Sequence, residues 1–147
     1  MEKIRVLFVD EDNGFRSQVA EALLNHLGRG DFEAVSAGFE AGPPSPLAEK
    51  ILEEMGLRPV ASATKKVFDL YLRGELFAYV ITLCDPKTAE RCPIFPGVTR
   101  MTNWPFPDPE KLSLSEEAKL DLARKTRDQI KDRLEMFIQN LRPGSQD

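Results

Sequence analysis

The sequence predicts an α/β fold of three layers, α/β/α, with a four-stranded, mostly parallel sheet covered by helices on both faces. Two observations carry this. Apolar runs of strand length alternate with amphipathic stretches of helical period along the chain, and such alternation implies right-handed crossovers between parallel strands. The first run, Ile4 to Val9, has no polar alternation, as expected of a strand buried on both faces. In folds of this kind ligands bind outside the carboxyl ends of the strands.

The elements follow in order. After the first strand, Val19, Leu23 and Leu27 recur at spacings of four, Leu24 widens the stripe, and Gly28 and Gly30 stop the helix. Phe32 to Ser36 reads as the second strand. The turn-rich Ala41 to Pro46 leads into a helix from Leu47 to Met55 that Gly56 ends. Lys65 to Arg73 gives a shorter helix ended by Gly74. Phe77 to Leu83, rich in β-branched and aromatic residues, is the third strand, with Cys84 and Asp85 just past its end. Prolines dominate from Pro93 to Pro109, leaving Thr99 to Asn103 as the fourth strand. A long helix closes the chain: Ser113 and Glu116 have capping-box spacing, and Ala118, Leu122, Ile130, Leu134, Ile138 and Leu141 form its apolar stripe. One domain over residues 1–142, with a frayed tail at 143–147, is the expected organisation.

Composition narrows the function classes. The chain is 41% hydrophobic and 30% charged, with a net charge of −4, so no basic footprint for nucleic acid is present. The apolar run before Asp10 is too short for a secretory core or a membrane span. Two cysteines are too few for a disulfide scaffold. These features place the chain in the cytoplasm, with no membrane or nucleic-acid partner.

Leu7 to Ser17 reads LFVDEDNGFRS. A strand, a short loop and a helix start aim backbone N–H groups and a helix N-terminus at one point, which ordinarily holds an anion. Asp10, Glu11 and Asp12 oppose that use. An acidic residue here is also a plain helix cap, since Asp is stabilising near a helix N-terminus.

Asn13, Arg16-Ser17, Ala20-Glu21-Ala22-Leu23-Leu24, Ser36-Ala37-Gly38, Val80 to Asp85, Cys92-Pro93, Phe95-Pro96-Gly97 and Trp104 to Pro109 together resemble the low-molecular-weight tyrosine phosphatases, and especially the thioredoxin-coupled arsenate reductases built on the same fold. The resemblance spans nearly the whole chain. It implies the phosphotyrosine phosphatase I-like fold with flavodoxin-like strand order, and a small oxyanion or a phosphoprotein as ligand. In the family the loop is Cys, five residues, Arg: the thiolate attacks phosphorus or arsenic, and the loop amides and Arg hold the oxyanion. Carried across, Glu11, Asp12, Asn13, Gly14 and Phe15 form the loop and Arg16 is the oxyanion ligand. Ser17 hydrogen-bonds the nucleophile, Asn13 braces the loop and Asp108 is the general acid. Asp10 stands at the position of the nucleophilic Cys.

The resemblance also implies that Cys84 and Cys92 stand at the two relay positions through which arsenate reductases pass oxidation outward, with thioredoxin as reductant. It matches Asn13, Glu21 and Ser36 to a monovalent-cation set, although a further acid expected near position 66 is replaced by Lys65-Lys66. A carboxylate is a poor nucleophile without a metal or strong acid, so the resemblance implies an impaired catalyst kept for binding or regulation. Two alternatives stand beside it. Asp10, Asp12 and Asp108 converge on Mg²⁺, a use that the similarity of LFVDED to the opening strand of Asp-based phosphotransfer proteins also suggests; or Cys84 and Cys92 form a thiol switch. The plain readings make Asp108 a turn former, Cys84 an inert core thiol, Cys92 an exposed one, His26 a surface or core-edge residue, and Lys65-Lys66 a solvated face.

Overall fold

The computed structural model describes residues 2–59 and 64–141, so the expected tail at 143–147 lies outside the described residues. The chain runs β1 (Ile4–Asp10), α1 (Arg16–Leu27), β2 (Phe32–Gly38), α2 (Pro46–Glu53), α3 (Val67–Leu72), β3 (Tyr79–Thr82), α4 (Pro86–Ala89), β4 (Arg100–Asn103), a single 3-10 turn (Pro109–Lys111) and α5 (Glu116–Leu141). The sheet order is β2-β1-β3-β4 and every pairing is parallel. This is the four-stranded α/β arrangement the sequence predicts. Val9 pairs with Ala37 on one side and Thr82 on the other, so the loops leaving β1, β2 and β3 emerge along one edge of the sheet.

Pleating divides β1 between two cores. Val6 and Phe8 face a layer built from α1, α2 and α5, where they meet Leu23, Ile51, Ile130 and Leu134. Leu7 and Val9 face the opposite layer, with Val67 and Leu70 of α3, Phe77, Phe95 and both cysteines. A strand covered on both sides has no polar face, which explains the uninterrupted apolar run.

Several boundaries move, each for a local reason. β2 extends to Gly38 because it pairs with β1 as far as Asp10. α3 starts at Val67, two residues later than the sequence suggests, because Lys65 and Lys66 are drawn into an extended segment: Lys65 O accepts from Gly38 N–H and Lys66 bridges to Gly38. The cap of α5 is Ser115, whose hydroxyl accepts from Ala118 N–H, in place of Ser113. Its fully buried line is Ala123, Thr126, Ile130, Leu134 and Ile138; Ala118 and Leu122 are only partly covered. The short α4 is capped by Asp85, a turn that the sequence leaves within a loop. Among the described residues no helix is long and apolar enough to cross a membrane.

Candidate active site

Asp10 ends β1 and is fully buried. Its two carboxylate oxygens take separate backbone donors: Oδ1 accepts from Asn13 N–H at 2.7 Å and Oδ2 from Ser17 N–H at 2.9 Å. Phe15, the residue before α1, contributes no side-chain cap. The carboxylate of Asp10 therefore serves α1 as its cap from inside the loop, where the N-terminal partial charge favours an anion. Burial pushes its pKa up to about 6, against the lowering effect of Arg16 and the two amide donors.

The loop that encloses it is closely fitted. Asn13 takes a left-handed backbone conformation, φ 58°, which asparagine tolerates better than most residues. Its Nδ2 donates to Ser17 Oγ at 2.8 Å and Ser36 Oγ at 2.9 Å, and its Oδ1 accepts from Lys65 N–H. Asn13 thus ties the loop to α1, to β2 and to the segment before α3. Ser17 hydrogen-bonds Asp10 through its backbone N–H, while its hydroxyl accepts from Asn13. Asp12 Oδ1 accepts from Gly14 N–H, and Lys111 approaches Asp12 at 3.4 Å and Glu11 at 3.9 Å.

Arg16, only 4% exposed, points across the site. Its Nη1 donates to the carbonyls of Phe106 at 3.0 Å and Leu83 at 3.4 Å. Its Nε and Nη2 have no hydrogen-bond partner among the described residues. Three carboxylates surround that edge, Asp10 at 4.0 Å from Nε, and Glu11 at 3.5 Å and Asp108 at 3.8 Å from Nη2. Asp108 is buried too, and burial raises its pKa despite the nearby Arg16. Its Oδ1 accepts from Glu110 N–H, so it also performs the turn-forming role. A cavity of about 450 Å³ opens in front of Asp12, Phe15 and Asp108.

The three acids suggested for Mg²⁺ do not assemble into a ligand set. Asp10 points into the loop amides, Asp12 turns to Gly14 and Lys111, and Asp108 turns to Glu110; among the described residues no group of three acidic, His or Cys side chains is placed to hold a metal ion. Of the monovalent-cation set, Asn13 Oδ1 accepts from Lys65 N–H, and buried Glu21, whose pKa burial raises and the charge of Lys65 lowers, keeps Oε2 without a hydrogen-bond partner among the described residues. Lys65 is consequently part of the site's electrostatics as well as of its surface.

Cys84 and Cys92 are both buried free thiols in one apolar cluster. Cys84 meets expectation. Cys92 corrects it, because its loop folds back beneath Phe95 against α3 and β3 in place of projecting into solvent. Burial pushes Cys84 up to about 11 and Cys92 up to about 12, the latter also feeling the charge of Cys84. His26 is exposed.

Sequence reasoning missed Lys111 and Glu110. Glu110 Oε2 accepts from Ser45 Oγ at 2.5 Å, tying the Asp108 loop to the start of α2. Only their closeness to Asp108 hinted at them.

The sequence model for low molecular weight phosphotyrosine protein phosphatase matches residues 5–146. The chain belongs to that family. Within it, the similar proteins include an arsenate reductase of Bacillus licheniformis, 33% identical over 142 residues that cover 95% of this chain and 98% of that protein. A solved arsenate reductase in its oxidised state superposes with a TM-score of 0.76 at 27% identity, covering 94% and 98% of the two chains. A thioredoxin-dependent arsenate reductase of Corynebacterium glutamicum gives 0.68 at 26% identity, covering 95% of this chain and 62% of that one. Membership of the phosphatase family fits the parallel sheet and the loop between β1 and α1.

Proposed function

We propose that this chain is a family member whose oxyanion loop is occupied by its own carboxylate, and that it acts by binding or regulation rather than by turnover. The observation that carries this reading is the double acceptance by Asp10 of the Asn13 and Ser17 amides. Each oxygen of a side chain so held is tied to a loop amide, and a carboxylate lacks the nucleophilicity and leaving ability of a thiolate. Ionised at neutral pH, it would repel an incoming phosphate or arsenate. At an effective dielectric near 20, each unit-charge contact at 4 Å costs about 4 kcal/mol, and Glu11 and Asp108 lie near the same Arg16 edge. Small oxyanions and phosphoproteins remain the ligand classes suggested by the family, at reduced affinity.

Asp10→Cys tests the reading directly. Native protein and variant are assayed in parallel for aryl phosphate hydrolysis and for arsenate reduction with thioredoxin supplied, because one similar protein is thioredoxin-dependent. The native chain is expected to be inactive and the variant to gain turnover; native turnover at ordinary enzymatic rates, about 1–1000 per second, would overturn the proposal. The thiol-switch alternative draws support from the shared cluster of Cys84 and Cys92. Their raised pKa values count against it, since exchange requires thiolate.

A further inference from the structure

On the face of the sheet that carries α3, the molecule presents an apolar surface outside its core. Leu72, Leu76, Ile94 and Val98 are between 58% and 97% exposed, and Tyr71 and Met101 are half-exposed. These side chains lie together. The Phe95 ring meets Tyr71 of α3 at 5.7 Å and Phe77 at 5.4 Å, which holds the neighbouring Ile94 beside α3. A Cβ on Gly97 would sit 3.9 Å from Leu76 Cδ2, so Val98 follows directly alongside Leu76. Met101 is in register with Val80, and residues in register share a face of the sheet. Val80 packs in the core of Phe95, so Met101 borders the same surface on the outermost strand.

Rigidity and area separate this patch from scattered exposed residues. Pro93, Pro96 and Gly97, the last at φ 88°, shape the turn, and Thr99 Oγ1 fastens it by donating to the carbonyl of Phe77. Ile94 and Val98 are therefore displayed by a preformed loop, which lowers the ordering cost of a contact. At about 60–120 Å² of apolar surface per fully open side chain, the six expose roughly 300–500 Å². A homodimer interface of standard size buries about 800 Å² per partner, about two-thirds of it apolar, so the patch approaches what a stable pair needs.

The rim carries both signs. Asp69 and Arg73 are exposed one turn apart on α3, and Arg100 is exposed at the start of β4. A two-fold contact, in which the same surface meets itself, can then set acid against base. Cys84 and Cys92 are buried in the Phe95 cluster and place no sulfur on this face, so a thiol-exchange protein finds no reacting atom there.

We propose that a second copy of this chain covers this face, in a two-fold dimer centred on Leu72, Leu76, Ile94 and Val98. Leu76 and Val98 precede β3 and β4, whereas Asp10 closes the carboxyl end of β1. The pairing therefore leaves the oxyanion loop open, and it does not depend on the reading of Asp10.

Sedimentation of the full chain from about 1 μM to about 1 mM tests the proposal. The average mass is expected to rise from one chain toward two, and backbone amide NMR signals of Leu72, Ile94 and Val98 to shift with concentration while those of α5 stay fixed. Ile94→Asp/Val98→Asp should weaken association about tenfold or more; both side chains are exposed, so its melting temperature should match the native one. Met136→Lys, on the exposed side of α5, should associate as the native chain does. A single-chain mass throughout, dilution shifts confined to other surfaces, or undiminished association of the folded double variant would overturn the dimer. A chain that stays single and shows these amide shifts only with added thioredoxin would give the face to that protein and overturn the second copy. Asp10→Cys should dimerise unchanged, so failure here and failure of the Asp10 reading give separate signals.

Discussion

At the scale of single residues, Asp10 exchanges reactivity for structure. Its carboxylate is sequestered by two amides and lies 4.0 Å from Arg16 Nε, yet burial still raises its pKa to about 6. Because the folded-state pKa lies above the unfolded one, the folded protein holds this proton more tightly. The resulting stability is fully present below about pH 4 and is lost as pH rises through about 6, a change of about 3 kcal/mol from this group alone. Glu21 and Asp108 are shifted in the same direction and add to it. Denaturant midpoints measured from pH 4 to 7 should therefore fall with pH, and Asp10→Asn should flatten that slope while adding an unmatched donor to the loop. A slope unchanged by the substitution would show that Asp10 titrates normally.

At the scale of elements, the loop between β1 and α1 is held from behind by β2. A Cβ on Gly38 would lie 2.5 Å from Asn13 N, 2.5 Å from Glu40 O and 2.6 Å from Asp12 C, all of them backbone atoms that cannot swing aside. Gly38→Ala is expected to destabilise the fold by about 2–3 kcal/mol, lowering the melting temperature by about 5–10 °C; a neutral outcome would mean that the loop shifts freely. On α5, Leu134 is fully buried against the α1 layer. Leu134→Ala should cost about 2–5 kcal/mol in denaturant unfolding, whereas truncating exposed Met136 on the same helix should cost little.

At the scale of the whole molecule, the two cores divide the labour. One packs α1, α2 and α5 onto the sheet, and the other encloses both thiols with Phe77 and Phe95. Ring contacts of Phe95 with Tyr71 and Phe77 fasten the Cys92 loop to α3 and to the segment that leads into β3. Alkylation of Cys84 and Cys92 by iodoacetamide at pH 7 should be slow in the native protein and fast after unfolding, since thiols near pKa 11 and 12 are at most about one part in ten thousand thiolate at that pH. Mass measurement after mild oxidation should find both thiols intact. Rapid native labelling or a two-proton mass loss would restore the switch.

Fold class, the strand order implied by the resemblance and the position of the loop were legible in the chain, with Asp10, Asn13, Arg16 and Asp108 as its candidate site residues. These follow from periodicity, turn residues and motif spacing, which are local or carried by family pattern. Tertiary structure alone decided where each group points. The burial of Cys92, the link from Lys65 to the loop and the tie between Glu110 and Ser45 all join segments distant in sequence. The same holds for Asp10. Its residue type declares a charge, but only the closure of the loop around it shows that this charge is spent on two amides of its own chain.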